Sequence, residues 1–342
     1  MRKLLISILM TSSVLTWAGD VIISSPAGNL QVTVSDAGGR LYYTASLNGQ
    51  QMLLPSALGL KTSIGDFTRD LTILNSQLSP ITTSYTMRGT KASKSDYQAT
   101  KAVLDIENKD KQQFSIVFQV SDDNIAFRYA IPRQKWQRKE PKRLRIKSEL
   151  SNFNFPDGTT TFISPLARPE SGWEQTQPSY EEGYSADAAM DTPSQHGRGY
   201  IFPALFHLPQ GWALVSETGV GSNYCGSHLS DYQAGNGYTV AYPDAGENNG
   251  YGTDFAAIPL PGETPWRTIT LGTTLKPIAE TTISYDLVEP RYEPSTNYQP
   301  GRYTWSWLLW QDNSINYDDQ VKFIDLASTM GFEYCLVDNW WD

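Results

Sequence analysis

The sequence has few of the residues that most often carry metal or nucleophilic chemistry. It contains only three histidines and two cysteines. The histidines have neither metal-ligand spacing nor a nucleophile partner, so nothing here supports a histidine-based zinc site or a catalytic triad. Cys335 lies within an apolar stretch, and we expect a buried free thiol there rather than half of a disulfide.

Positive charge is also scarce. Lysine and arginine number 27 against 36 aspartates and glutamates, a formal net charge of -9. Without a basic stripe to pair with phosphates, we expect no nucleic-acid partner. The locally basic residues 133–147 include Glu140, and we interpret them as a solvated loop. Aromatic residues are plentiful at 12%, with 19 Tyr and 10 Trp, a balance typical of sugar binding or of a large β fold.

Long apolar runs are absent except at the N-terminus. Arg2 and Lys3 precede an apolar stretch at residues 4–15, and Ala18 completes an acceptable small-residue cleavage site. The stretch is too short to span a membrane securely. We therefore predict a signal peptide over residues 1–18 and export to the periplasm or the cell surface, without stable membrane insertion. The alternative is an N-terminal anchor that stays uncleaved.

Residues 19–289 contain no stretch of ten residues with convincing helical period. Apolar and polar residues alternate instead, as at 30–34, 114–120 and 125–131, and turn signals such as Asn48-Gly49 separate the alternating runs. The fold class is thus predicted to be mostly β, a large antiparallel sandwich of many strands.

The pattern changes near the C-terminus. Residues 303–310 have the pattern of a short apolar strand, and Asn316 is placed to cap a helix over 317–330 that Gly331 ends. A second apolar run, 332–337, leads to Asp338. Strand, helix and strand form one βαβ unit of a parallel sheet. One such unit cannot close a sheet, so we expect the chain to stop inside a domain.

Several short segments, in this order and spacing, resemble the N-terminal part of glycoside hydrolase family 97. They are Ser-Pro-Ala-Gly-Asn-Leu at 25–30, Pro-Ser-Ala-Leu-Gly-Leu at 55–60, Asn-Ile-Ala-Phe-Arg-Tyr at 124–129, Trp-Ala-Leu-Val-Ser-Glu at 212–217, Thr-Pro-Trp-Arg-Thr-Ile at 264–269 and Leu-Val-Asp at 336–338. The resemblance implies a β-super-sandwich over 19–289, a linker over 290–300, and at 301–342 the start of a catalytic (β/α)8 barrel. The rest of the barrel and a C-terminal domain would follow on the same polypeptide.

The resemblance also implies an activity: an exported α-glycosidase that removes terminal α-linked glucose or galactose from oligosaccharides. Such hydrolysis needs two carboxyl groups flanking the scissile bond. The family's catalytic carboxylates lie beyond residue 342, so we expect no catalytic residue in this chain and no activity from this stretch alone. The alternatives are a non-catalytic carbohydrate-binding β-sandwich module and a scaffolding surface protein.

A calcium ion is implied by the same resemblance. Family enzymes bind calcium beside the substrate, with one ligand from the sandwich, a glutamate followed three residues later by tyrosine. Glu181 with Tyr184 fits that pattern, and calcium accepts carboxylate oxygens from separated segments. Glu182 and Glu174 are rival positions, and the alternative is a solvated acidic loop.

The substrate contacts are expected at the end of the second barrel strand. Asp338 falls where barrel enzymes carry functional residues, and Trp340 and Trp341 offer apolar contacts to a sugar ring. The Asp-Asn-Trp-Trp run differs from the Glu-Gly-Trp-Asn of the family's α-glucosidases, which favours a branch such as the retaining α-galactosidases.

The sequence also supports two predictions about packing. The first is that the three tryptophans of residues 303–310 pack the barrel wall against the sandwich. The second is that Glu217 is buried and pairs with Arg267 or orients the linker.

Overall fold

The computed structural model describes residues 19–87, 90–133, 143–167, 183–243, 254–292, 295–296 and 298–338. The chain divides into two compact units, Met1–Glu289 and Pro290–Asp342. The signal peptide at 1–18 and the linker at 290–300 stay predictions. In the part of the chain that the structure describes, no helix combines the length and the apolar character needed to cross a bilayer.

The first unit is built almost entirely from strands. In chain order they are β1 (Val21–Ser24), β2 (Leu30–Ser35), β3 (Leu41–Leu47), β4 (Gln50–Leu58), β5 (Leu60–Thr62), β6 (Asp66–Phe67), β7 (Leu71–Thr86), β8 (Lys94–Asn108), β9 (Gln113–Val120), β10 (Asn124–Ile131), β11 (Arg143–Glu149), β12 (Asn152–Phe153), β13 (Thr160–Ile163), β14 (Ser185–Ala189), β15 (Ala204–Leu208), β16 (Gly211–Thr218), β17 (His228–Leu229), β18 (Tyr238–Ala241), β19 (Ala256–Pro259), β20 (Gly262–Glu263) and β21 (Trp266–Gly272). Two short helices follow them, α1 (Lys276–Glu280) and α2 (Ile283–Leu287).

One large antiparallel sheet dominates this unit. Its strand order is β14-β13-β15-β16-β21-β10-β9-β8-β7, with β20 also paired to β10. Every residue of β21, at the centre, is buried, whereas β7 at the edge pairs only with β8 among the described strands. Three small sheets accompany it, in the orders β1-β2-β3-β4, β19-β11-β5-β6 and β12-β18-β17.

Aromatic side chains pack the small sheets onto the inner face of the large one. The ring of Tyr43 on β3 lies 5.4 Å from that of Phe127 on β10. Phe206 on β15 and Tyr238 on β18 are 5.2 Å apart, and Phe67 on β6 lies 4.8 Å from a phenylalanine of β9. These side chains belong to one continuous hydrophobic core. Burying aromatic rings between two sheet faces is what holds a sandwich together.

The mostly β, antiparallel sandwich predicted from the sequence is therefore confirmed: strands make up 49% and helices 12% of the residues. One detail was wrong. Residues 143–147 of the predicted basic loop belong to β11 (Arg143–Glu149), in which charged side chains alternate with buried Leu144 and Ile146. The helices α1 and α2 are each only five residues long, which agrees with the absence of a ten-residue helical period in this part of the sequence.

The second unit contains strand, helix and strand. Its elements are β22 (Tyr303–Trp305), α3 (Trp307–Trp310), α4 (Tyr317–Met330) and β23 (Tyr334–Leu336), and β22 pairs with β23 in parallel. Helix α4 has the predicted bounds. The Asn316 side chain accepts a hydrogen bond from the backbone N–H of Asp319, and Gly331 ends the helix at φ 66°. That this pair opens a barrel stays a prediction.

The strand predicted over 303–310 is wrong after Trp305. Ser306 has helical backbone angles, and its carbonyl accepts the N–H groups of Leu309 and Trp310. The buried Ser306 hydroxyl also accepts hydrogen bonds from Ser314 and Gln320. Because these bonds turn the chain at Ser306, the apolar residues after it form the helix α3 instead of extending the strand.

Candidate functional site

A polar side chain follows β23 at the edge where both parallel strands end. Trp305, the last residue of β22, is in register with Leu336, the last residue of β23, and Asp338 comes two residues later. The indole Nε1–H of Trp305 donates a hydrogen bond to Asp338 Oδ2 at 2.8 Å. No pattern in the sequence indicates this bond, because the two residues are 33 positions apart.

A second indole supports the first. The rings of Trp305 and Trp307 stack with centroids 5.6 Å apart and planes at 20°. Trp307 Nε1–H donates to Asp312 Oδ1 at 2.7 Å. Two stacked indoles thus each donate to a carboxylate, an arrangement that fixes the orientation of both rings.

These groups lie on the side of the strand pair that faces away from α4. The buried Thr304 hydroxyl donates to the Phe323 carbonyl of α4 at 2.8 Å. Since neighbouring residues of a strand point to opposite faces, Trp305 projects away from that helix, and Asp338 shares its side. The third tryptophan, Trp310, instead meets the Phe323 ring edge-on at 4.9 Å.

The other predicted site residues fall outside the described part of the chain. Trp340 and Trp341 lie outside it, as do Glu181, Glu182 and Glu174. Tyr184 is described, and 66% of its surface is exposed. Among the described residues, no group of three or more histidines, cysteines, aspartates or glutamates is arranged to hold a metal ion. The calcium ligand at Glu181 therefore stays a prediction.

A buried ion cluster lies at the centre of the large sheet. Arg267 on β21 donates from Nε to Glu149 Oε1 at 3.0 Å and from Nη2 to Oε2 at 2.7 Å. Its Nη1 donates to Glu217 and, at 2.8 Å, to the Ser227 hydroxyl. The predicted pairing of Glu217 with Arg267 is confirmed, whereas the partner Glu149, 118 residues away in sequence, was missed.

Arg267 and Glu149 are both withdrawn from solvent, with side-chain exposures of 1% and 0%. Burial acts to lower the pKa of Arg267, but the carboxylates of Glu149 and Glu217 raise it more, so its pKa lies well above the usual value. Burial also raises the pKa of the neighbouring Cys225 thiol to about 12. The Arg267 guanidinium thus stays charged inside the sandwich, where its hydrogen bonds to the two glutamates give the cluster a structural role.

A polar groove of about 610 Å³ opens between β8, the β9–β10 turn and the two short helices. Among the described residues, its lining carries the carboxylates of Asp96, Asp122, Asp123, Glu280 and Asp286 and no basic side chain. Most of these carboxylates already accept hydrogen bonds from the protein. They do not converge on one point, so the groove offers acceptors without the geometry of a metal site.

Comparisons of the sequence and of the structure with known proteins give consistent results. The family model "Glycosyl-hydrolase 97 N-terminal" matches residues 23–290. A retaining alpha-galactosidase of Bacteroides thetaiotaomicron is 26% identical over 354 residues, covering 93% of this chain and 50% of that protein. A probable retaining alpha-galactosidase of Streptomyces bingchenggensis is 24% identical, covering 95% and 47%. The chain therefore spans about half the length of these relatives.

Among solved structures, a beta-arabinopyranosidase is 50% identical with a TM-score of 0.89, covering 95% of this chain and 51% of that one. A glycoside hydrolase family 97 enzyme from Pseudoalteromonas sp. strain K8, in complex with panose, has a TM-score of 0.75 at 20% identity, covering 94% and 47%. At that identity the second likeness concerns the fold alone.

Proposed function

The chain belongs to glycoside hydrolase family 97, and we propose that it is the N-terminal part of an exported retaining glycosidase. We infer that the enzyme removes terminal α-galactosyl or β-arabinopyranosyl groups, with α-glucosyl groups as the alternative. The observation that carries the choice of sugar is the 50% identity to a beta-arabinopyranosidase. The names of the two retaining alpha-galactosidases support it.

One stereochemical fact makes the two sugars a single proposal. β-L-Arabinopyranose has the ring configuration of α-D-galactopyranose and lacks only the hydroxymethyl group on C5. A pocket built for one therefore recognises the same hydroxyls on the other, and discrimination depends on the space around C5. An added or missing group of this size in a pocket changes specificity by roughly 10–200-fold.

The chemistry would be divided between this stretch and the part of the protein that follows it. A retaining glycosidase uses two carboxyl groups about 5–5.5 Å apart, one as nucleophile and one as acid and then base. We assign these to residues beyond 342. This stretch would supply Asp338 as an acceptor for sugar hydroxyls and Trp340 and Trp341 as apolar ring contacts.

Glu181, with Glu182 as the alternative, would supply one oxygen ligand to a calcium ion held mainly by the barrel. Carboxylates are the ligands that calcium prefers, and they are tolerant of separated segments. When bound, the ion would place positive charge beside the sugar. Residues 1–18 would direct export and be absent from the mature enzyme.

The test of the substrate uses the full-length protein. Hydrolysis of p-nitrophenyl α-D-galactopyranoside, β-L-arabinopyranoside and α-D-glucopyranoside is compared by kcat/KM. The proposal expects the first two to exceed the glucoside by roughly tenfold or more. It also expects proton NMR to detect a first-formed sugar with the anomeric configuration of the substrate. If the glucoside has the highest kcat/KM, the assigned sugar changes to an α-glucosyl group. A product with the inverted anomeric configuration would refute retention.

A folded full-length protein that binds these sugars but hydrolyses none would instead be the non-catalytic binding module.

The test of the metal ligand compares Glu181→Gln with Glu182→Gln in the full-length protein. Chelation should abolish activity, and Glu181→Gln should raise the calcium concentration needed to restore it by roughly tenfold or more. Glu182→Gln is the matched control, since it removes an adjacent carboxylate. An unchanged calcium requirement in Glu181→Gln, with a raised one in Glu182→Gln, would move the ligand to Glu182. Activity insensitive to chelation would refute the calcium site.

A further inference from the structure

The hydrogen bond between Trp305 and Asp338 joins two residues for which the sequence predicts different roles. Asp338 was expected to contact substrate, and Trp305 only to pack. In the structure the indole donates to the carboxylate at 2.8 Å from the neighbouring strand end. Both side chains are half-buried, so the bond is partly shielded from competing water.

A second indole supports the Trp305 ring from behind. The Trp305 ring stacks on Trp307, whose own N–H is held by Asp312. The strand beneath is held to α4 through the Thr304 hydroxyl. An indole fixed in this way presents its N–H in one direction, and a hydrogen bond to a charged acceptor is shorter and stronger than a neutral one.

We propose that Trp305 is a positioning residue that sets the orientation of the Asp338 carboxylate toward a substrate hydroxyl. A carboxylate has about four acceptor positions, so it can accept from the indole and still accept from a sugar. Residues that orient a metal ligand act through it, and their loss typically lowers activity by roughly 10–100-fold; we expect a loss of similar size here. This inference rests on the proposed function, in which Asp338 binds the sugar.

The geometry also distinguishes positioning from packing. A purely structural tryptophan would be replaced well by phenylalanine, which keeps a flat ring against Trp307 but has no N–H. The full-length variant Trp305→Phe is therefore expected to melt at close to the wild-type temperature and to lose roughly tenfold in kcat/KM. Trp305→His, which restores a ring N–H, should retain more activity than Trp305→Phe.

Trp310→Phe is the matched control. It is the same substitution five residues later, on a side chain that packs against Phe323 and takes no part in the proposed site. It is expected to leave kcat/KM unchanged. If Trp305→Phe lowers the melting temperature, the measurement is repeated with Trp305→Leu, which is apolar and has no hydrogen-bond donor.

The decisive measurement is a double-mutant cycle of Trp305→Phe with Asp338→Asn, using the best glycoside of the panel. If Trp305 acts through Asp338, the double variant is no slower than Asp338→Asn alone. Full additivity of the two losses, or a Trp305→Phe enzyme as active as Trp310→Phe, would overturn the inference while the proposed function stands. A folded wild-type protein without glycosidase activity would instead defeat the proposed function.

Discussion

Replacing Arg267 is the sharpest test of how the sandwich is held together. The substitution Arg267→Met keeps most of the side-chain volume and removes the guanidinium that pairs with Glu149 and Glu217. Glu149 is fully buried and loses two hydrogen bonds, at 3.0 and 2.7 Å. Breaking a buried ion pair by removing one partner typically costs about 3–5 kcal/mol. Because Glu217 also loses its charged partner and keeps only the hydrogen bonds from Ser227, we expect a loss at the upper end of that range.

The measurement is amide hydrogen exchange on the full-length protein, followed by mass spectrometry of peptides from β10, β16 and β21. Exchange through local or global opening reports the free energy of that opening. Signals from other parts of the protein do not enter, which avoids treating a multidomain chain as a two-state system. Lys94→Met is the control, since its ion pair with Asp96 is exposed on both sides and should contribute nothing measurable.

A rescue variant separates lost charge pairing from lost volume. In Arg267→Met/Glu149→Met the fully buried Glu149 carboxylate is gone, and only the partly exposed Glu217 is left without a charged partner. Hydrophobic replacement of a buried pair is often neutral. We expect the double variant to recover at least half of the lost free energy. Unchanged protection in Arg267→Met, or a double variant less stable than the single one, would refute the reasoning that Glu149 is the source of the loss.

Three further outcomes are expected. Asn316→Ala removes the side chain that caps α4 and should raise exchange in its first turn, a loss of about 1 kcal/mol; unchanged exchange would contradict the capping role. Pro80→Thr gives the uncharged edge strand β7 a backbone donor that it lacks, and should increase self-association in sedimentation velocity; a sedimentation profile equal to that of the wild type would contradict this. Burial raises the pKa of Cys225 to about 12, so its alkylation by iodoacetamide should stay slow up to pH 9, and labelling as fast as that of a free cysteine peptide would contradict the burial.

Local signals predicted the elements that local physics determines. The alternation predicted at residues 30–34 places every second side chain of β2 inside, and the observed strand extends only one residue further. Helix α4 was predicted to the residue because Asn316 and Gly331 mark both ends chemically. The strand predicted after Ser306 is wrong because a run of four apolar residues fits a strand or a helix equally well. The hydrogen bonds that Ser314 and Gln320 donate to Ser306 favour the helix.

Long-range partners could not be predicted from the residues alone. Glu217 was identified as a partner of Arg267, yet Glu149 makes the better-buried pair and gave no sequence signal. Trp305 was read as packing for the same reason, since its acceptor lies on another strand. The free thiol predicted at Cys335 is present, but it is half-buried rather than buried, because the short strand β23 has one neighbour among the described strands.

The central position of β21 has a consequence for how the sandwich assembles. β16 and β10 do not pair with each other, so without β21 the large sheet separates into two groups of strands, each with an open edge. The hydrogen bond from Thr270 to Asn124 closes a loop of 146 residues. Because the chain is synthesised from its N-terminus, the two groups of strands cannot join until residues 266–272 have been made. This pairing is non-local, and we expect it to be slow. A chain truncated before residue 266 would expose two unpaired strand edges, one on β16 and one on β10. A chain truncated just after residue 272 would keep every strand pairing of the large sheet.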